Sequence, residues 1–175
     1  MSFLGPNAVP ICVSIIATIV VLGAGGALTE IGPWYANLRK PSWQPPNWAF
    51  APAWTLIGVL AATAAVLAWE AAATDAQRAL VAGLFAANAV ANIAWSLLFF
   101  KLRRPDWALA EVVLLWLSVA ALIAGLAPLS TTASAALVPY LLWVSFAAVL
   151  NRKIVQLNHP FRLRAGAPQP SELGS

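Results

Sequence analysis

Five apolar stretches, each close to the roughly 20 residues a helix needs to cross the ~30 Å hydrocarbon core of a bilayer, dominate the chain. They fall at about residues 9–28, 48–69, 79–100, 107–126 and 135–151. The expected fold is therefore an all-α integral membrane protein, a five-transmembrane-helix bundle. It forms a single membrane domain over residues 1–157, with residues 158–175 as a flexible C-terminal tail. Composition agrees, since 61% of residues are hydrophobic and 9% charged, against roughly 25% charged in ordinary soluble domains. The joints at 71–78, 101–106 and 127–134 are short, and only residues 29–47 make a long connection.

Ten Lys and Arg residues orient the spans, because basic residues accumulate on the cytoplasmic side. With five crossings, the first loop, the third loop and the tail share one side. That side holds Arg39, Lys40, Lys101, Arg103, Arg104, Arg152, Lys153, Arg162 and Arg164, and the other holds Arg78. The expectation is an N-terminus outside and a C-terminus in the cytoplasm. The net charge of +4 is then topogenic and lipid-facing, and no nucleic-acid partner is expected. No basic region precedes the first stretch, which is also too long for a signal peptide, so it reads as a helix.

The long connection ends in WYANLRKPSWQPPNW, residues 34–48, with Trp34, Trp43 and Trp48 among three prolines. Proline lacks a backbone donor and biases its predecessor toward extended geometry, which keeps this segment out of a continuous helix. Tryptophans are costly to leave in water, so the segment is expected to be a folded lid.

Polar groups in a bilayer are expensive and face protein or a cavity. Asn88, Asn92 and Trp95, at i, i+4 and i+7, make one stripe on the third span. Trp107, Ala110, Glu111 and Leu114 repeat the pattern on the fourth, and Trp143, Ala147 and Asn151 on the fifth. Trp54 and Thr55 lie early in the second. At ~1.5 Å rise per residue, most of these belong to the cytoplasmic half, on the lid side. The expected result is an aromatic cavity suited to a flat hydrophobic ligand with polar edges.

Plainer roles compete at each position. Trp48, Trp69 and Trp107 suit an interfacial belt. Asn88 and Asn92 suit interhelical hydrogen bonding, and Gly23, Gly25 and Gly26 suit helix contact or a loosened helix end. Glu111 suits dipole complementation in the second turn of its helix. Cys12, alone in the chain, reads as a packing residue, and His159 as a solvated tail histidine. No nucleophile–base pair, metal-ligand cluster or cofactor motif is present, so no metal and no cofactor are expected.

The loop WYANLRKPSWQPPNW, the following AxxWT, and then NIAWSLLFF, WALAEVVLL and VPYLLWVSFAAVLN on the later spans resemble the TspO/MBR family. This is the family of tryptophan-rich sensory proteins and the mitochondrial translocator protein, or peripheral benzodiazepine receptor. The resemblance runs from about Gly26 to Asn151. It implies a homodimer of five-helix bundles that binds porphyrins such as protoporphyrin IX and, in animal members, cholesterol and benzodiazepine-type drugs. Carried over by motif, the ligand site would comprise Trp34 and Tyr35 from the lid, Trp54, and Asn92 and Trp95 from N-x-x-W. Trp107, Ala110, Glu111 and Leu114 would follow from the fourth span, and Trp143 and Ala147 from the fifth. Asn88 matches an often polar position. Asn151-Arg152-Lys153 lacks the tyrosine of the cholesterol-recognition motif, which with a composition that reads as bacterial favours tetrapyrrole over sterol.

Three activities fit this pattern. One is a receptor that senses porphyrin, with Arg39 or Lys40 near its propionates. A second is a transporter of tetrapyrroles or other lipophilic molecules. The third is light-dependent porphyrin breakdown sustained by Trp34 and Trp143. Helices this apolar favour insertion at a bacterial inner membrane, although some relatives are assigned to the outer membrane.

Overall fold

The computed structural model describes residues 8–161. The basic Arg162 and Arg164, and the expected tail beyond residue 161, lie outside the described residues. Five helices are long and apolar enough to cross a membrane: α1 (Ala8–Leu28), α3 (Phe50–Ala71), α4 (Asp75–Ser96), α5 (Pro105–Leu126) and α7 (Val138–Asn158). Two short helices lie outside them, α2 (Pro33–Asn37) in the lid and α6 (Thr131–Ala136) before the last span. The spans close into a ring in which α1 packs on α3, α3 on α7, α7 on α5, α5 on α4 and α4 back on α1.

The third and fifth spans differ most from the sequence expectation. The third span begins at Asp75, a turn earlier than residue 79, because Thr74 and Gln77 form a reciprocal cap. Gln77 N–H donates to Thr74 Oγ1 (3.2 Å) and Thr74 N–H donates to Gln77 Oε1 (3.2 Å), satisfying donors a helix start leaves open. The fifth span starts at Val138, with Pro139 in its first turn, and runs on to Asn158. Arg152 and Lys153 end the hydrophobic stretch but are good helix formers.

The core lies among α3, α5, α6 and α7, where Ala64, Val119, Leu122, Leu126 and Leu137 are fully buried. Deep in the bundle, polar side chains bind helix to helix. Asn88 Nδ2 donates to Ser118 Oγ (2.8 Å), Asn92 Nδ2 to Tyr140 Oη (2.9 Å), and Tyr140 Oη to Asn88 Oδ1 (3.3 Å). With its amide oriented to match its surroundings, Asn151 donates to the Pro105 carbonyl (3.0 Å) and accepts from Leu109 N–H (3.1 Å). Such bonds hold helices together where lipid offers no hydrophobic drive. In contrast, α1 contributes no buried residue. It reaches α3 at Gly58, where an added Cβ would stand 2.6 Å from Leu22 Cδ1.

Candidate functional site

The lid is folded. After Pro33 opens α2, Lys40 turns back and caps it, its ammonium donating to the carbonyls of Tyr35, Ala36 (3.3 Å) and Leu38 (3.2 Å) and lying 4.4 Å above the Tyr35 ring. A cation at a helix C-terminus satisfies otherwise open carbonyls. Burial lowers the pKa of Lys40 and raises that of Tyr35. Tyr35 Oη accepts from Gln44 Nε2 (3.3 Å) and donates to Asn47 Oδ1 (3.4 Å), joining the two ends of the lid.

Polar and aromatic contacts seat the lid on the bundle. Asn158, at the end of α7, grips the backbone of Arg39 from both sides, accepting from its N–H (2.9 Å) and donating to its carbonyl (2.8 Å). Lys101 donates to Glu30 at 2.5 Å and holds that carboxyl below the usual carboxylate range. The Trp43 ring meets Phe146 edge to face at 5.9 Å.

Beneath the lid lies a cavity of about 490 Å³. Its depth comes from α1 at Val21, Leu22 and Gly25, and its far walls from Trp54 on α3, Asn92, Trp95 and Ser96 on α4, and Trp143 and Ala147 on α7. Tyr35, Asn47 and Phe50 close it from the lid side, joined by Phe100. Phe100 gets there because α4 ends in a wide turn, Leu97–Lys101, whose extra residue per turn gathers Phe99 and Phe100 beside Trp95. Trp95 stacks on Phe99 (5.1 Å, 25°) and meets Phe100 at 6.0 Å. Wide turns of this type recur at functional sites. The connection then turns sharply at Arg103, which takes left-handed geometry (φ 55°).

Six of the residues expected from sequence meet in this cavity: Tyr35, Trp54, Asn92, Trp95, Trp143 and Ala147. The others lie elsewhere. Trp34 packs behind the wall against Phe99 (6.2 Å), with the Arg103 guanidinium 6.0 Å from its ring. Asn88, one turn deeper, borders a second chamber of about 100 Å³ that shares Trp54, Leu22 and Asn92 with the first. Glu111 is half-buried on α5, its Oε2 enclosed and without a hydrogen-bond partner among the described residues. Trp107, Ala110 and Leu114 face outward, Leu114 being 63% exposed. Trp107 lies under the Arg104 guanidinium (4.2 Å), itself paired with Asp106 (Nε–Oδ1 2.8 Å).

Sequence reasoning did not single out Phe50, Ser96, Phe100, Tyr140 or Asn158. Tyr140 stood in a quoted motif and had a signal, a phenol inside an apolar span. Phe50 and Phe100 look like any lipid-facing phenylalanine.

A ring of five membrane helices around an aromatic chamber, roofed by a folded loop, defines a membrane-embedded binder of lipophilic molecules. The TspO/MBR family model matches residues 12–157. The tryptophan-rich protein TspO of Chlorobaculum tepidum is 34% identical over 148 residues, covering 85% of this chain and 94% of its own. The translocator protein of Sus scrofa is 37% identical over 140 residues (79% and 81%). The tryptophan-rich sensory protein of Cereibacter sphaeroides is 38% identical over 133 residues (76% and 82%). The chain belongs to the TspO/MBR family, and with that membership comes a membrane sensor or translocator role.

Proposed function

We propose that this protein is a receptor for porphyrins, protoporphyrin IX in the first place, and that the cavity beneath the lid is the binding site. The observation that carries the reading is the convergence of Tyr35, Phe50, Trp54, Trp95, Phe100 and Trp143 on one chamber of about 490 Å³. Flat aromatic walls suit a flat macrocycle, and the volume lies in the range that buries most of a drug-sized ligand. Polar groups are few and placed. Asn92 gives one of its two amide N–H groups to Tyr140, and no bond to its Oδ1 is found among the described residues, which leaves a donor and an acceptor for a ligand. Exposed Arg39 at the lid edge is the cation available to a propionate, since Lys40 is occupied with α2.

The reading includes a lid on the cytoplasmic face of a bacterial inner membrane and an N-terminus outside, supported by the gathering of Arg39, Lys40, Lys101, Arg103, Arg104, Arg152 and Lys153 at the lid end. A homodimer is carried by the family resemblance. Transport of the same ligand is the second reading, favoured by a cavity wall built from α1, the least buried span. Light-dependent breakdown relying on both Trp34 and Trp143 has only Trp143 in the wall.

The test is protoporphyrin IX titration of the detergent-purified protein in the dark, followed by tryptophan fluorescence, beside a folded Trp95→Ala/Trp143→Ala variant. Saturable quenching in the parent that disappears in the variant is expected. Equal quenching in both, or none at micromolar ligand, overturns the assignment.

A further inference from the structure

The second chamber adjoins the main cavity on the side away from the lid. It encloses about 100 Å³ between α1, α3 and α4, with Ala17, Ile57, Ala61, Phe85 and Ala89 among its walls and Asn88, Asn92 and Tyr140 as its main polar members. Those three are already engaged with one another: Asn92 donates to Tyr140 and Tyr140 to Asn88, which in turn donates to Ser118. The chamber therefore presents mostly apolar surface. An apolar group suits it better than water, which needs two to four polar partners of its own.

The two spaces meet at Val21, Leu22, Trp54 and Asn92, which front both. Leu22 reaches from α1 onto α3 because Gly58 has no side chain there; an added Cβ would stand 2.6 Å from Leu22 Cδ1. Volume limits what can occupy the inner space. At ~30 Å³ for a water-sized group, it holds about three such groups, enough for a two-carbon arm and too little for a second ring. Charge limits it as well. Among the described residues no Lys, Arg, His, Asp or Glu lines either chamber, so a carboxylate placed there would be buried unpaired, at large cost.

We infer that the inner chamber is a subsite for a short uncharged arm of the macrocycle, which lies with its apolar edge toward Gly58 and its carboxylate edge toward the lid. The inference rests on the main cavity being the porphyrin site and adds an orientation to it. The propionates then stay at the lid edge, where Arg39 is exposed. The arm at the opposite edge passes Leu22 and Trp54 and fills space that the macrocycle itself cannot reach. Selectivity follows from the same geometry: a porphyrin with a two-carbon arm gains apolar contact there, and one carrying hydrogen at that position leaves the chamber empty.

The test compares three porphyrins that differ only in two ring substituents: hydrogen in deuteroporphyrin, ethyl in mesoporphyrin and vinyl in protoporphyrin IX. Binding is followed by tryptophan quenching in the dark. Moving one two-carbon arm from water into the chamber contributes roughly tenfold in affinity, so the parent is expected to favour mesoporphyrin and protoporphyrin over deuteroporphyrin by about that factor. Ala61→Leu and Ala17→Leu fill the inner chamber from the α3 and α1 sides, at positions that do not line the main cavity. Each is expected to bring the ratio close to one. Ala87→Leu adds the same bulk on an exposed face of α4 and is expected to keep the parental ratio. Equal binding of all three porphyrins by the parent overturns the subsite and leaves the porphyrin assignment standing. A preference that survives in the filled variants does the same, and is the result expected if an acyl chain from the bilayer occupied the chamber. Binding of none of the three overturns the porphyrin assignment and the subsite together.

Discussion

Asn158→Ala is expected to loosen the lid without unfolding the bundle. The Asn158 carboxamide makes two hydrogen bonds to the Arg39 backbone, at 2.9 and 2.8 Å, and a third to the Ile154 carbonyl of its own helix (2.8 Å). The two cross-links bridge 119 positions of sequence, so nothing local replaces them. Both are solvent-exposed, which places each near the lower end of the net range for a hydrogen bond, about 0.5–1 kcal/mol. Together they stabilise the docked lid by about 1–2 kcal/mol, a factor of roughly 5–30 in the population of the open form. Trypsin reads this population directly, because cleavage of a transiently opened segment follows its equilibrium when opening is fast. The scissile bond is Arg39–Lys40, since Pro41 protects the bond after Lys40. Arg78, at the opposite end of the bundle, is the internal control. The variant should be cut after Arg39 roughly 5–30 times faster, with cleavage after Arg78 unchanged. Equal rates in variant and parent would refute the latch, and parallel acceleration at both sites would show that Asn158 supports the whole bundle instead.

Three further outcomes follow from the same geometry. Tyr140→Phe removes the hydroxyl between Asn92 and Asn88, leaving a buried donor and a buried acceptor unpaired; a loss of about 1–3 kcal/mol should appear as a lower melting temperature by circular dichroism, and unchanged melting would show that the seam is not structural. Glu30 is held below its ordinary value of 4.5 by Lys101, so the pair stabilises the fold at neutral pH, weakens as pH falls below about that ordinary value and vanishes below the lowered one. The melting difference between the parent and Glu30→Gln should accordingly close on acidification and shrink with added salt, and a difference constant from pH 7 to pH 3 contradicts the pairing. Ala147→Leu puts three more carbons into the cavity wall; protoporphyrin affinity should fall by tenfold or more while Leu114→Ala, on the outer face, leaves it unchanged, and the reverse order would move the site to the outside of the bundle.

The lid shows how far residue types alone reach. Prolines and tryptophans at 34–48 implied a folded segment, and there Tyr35 is bonded to both Lys40 and Asn47. What holds it down was not readable. Asn158 is a polar residue just past the last apolar stretch, indistinguishable in sequence from a tail residue until α7 is seen to continue to it. The start of α4 is marked by Thr74-x-x-Gln77, a capping-box pattern, which hydropathy does not show because it stays low until residue 79.

The fourth span shows where motif spacing stops being informative. In water a helix declares its inner face by apolar periodicity, but in a bilayer both faces are apolar and the period carries no direction. Ala108, Val112, Leu115, Val119, Leu122 and Leu126 form the buried stripe of α5, while Trp107, Ala110 and Leu114 form an outward one, and the two have similar hydropathy. Only polar groups break this symmetry, because hydrocarbon tolerates them on one side alone. That is why Asn88 and Asn92 pointed correctly into the protein on α4. On α5 the same logic selects Glu111 and Ser118, seven residues apart on one azimuth, and Ser118 is bonded to Asn88. Trp107 and Leu114 belong to that azimuth by spacing, yet they lie toward its lipid-facing edge, a difference of a few tens of degrees. A motif spaced i, i+3, i+4, i+7 spans about 100° of helix surface, so it names a stripe without saying which edge is wet by lipid. In a membrane bundle the azimuth of a helix is legible from its polar side chains, and the aromatic and aliphatic members of a motif follow only as far as they share it.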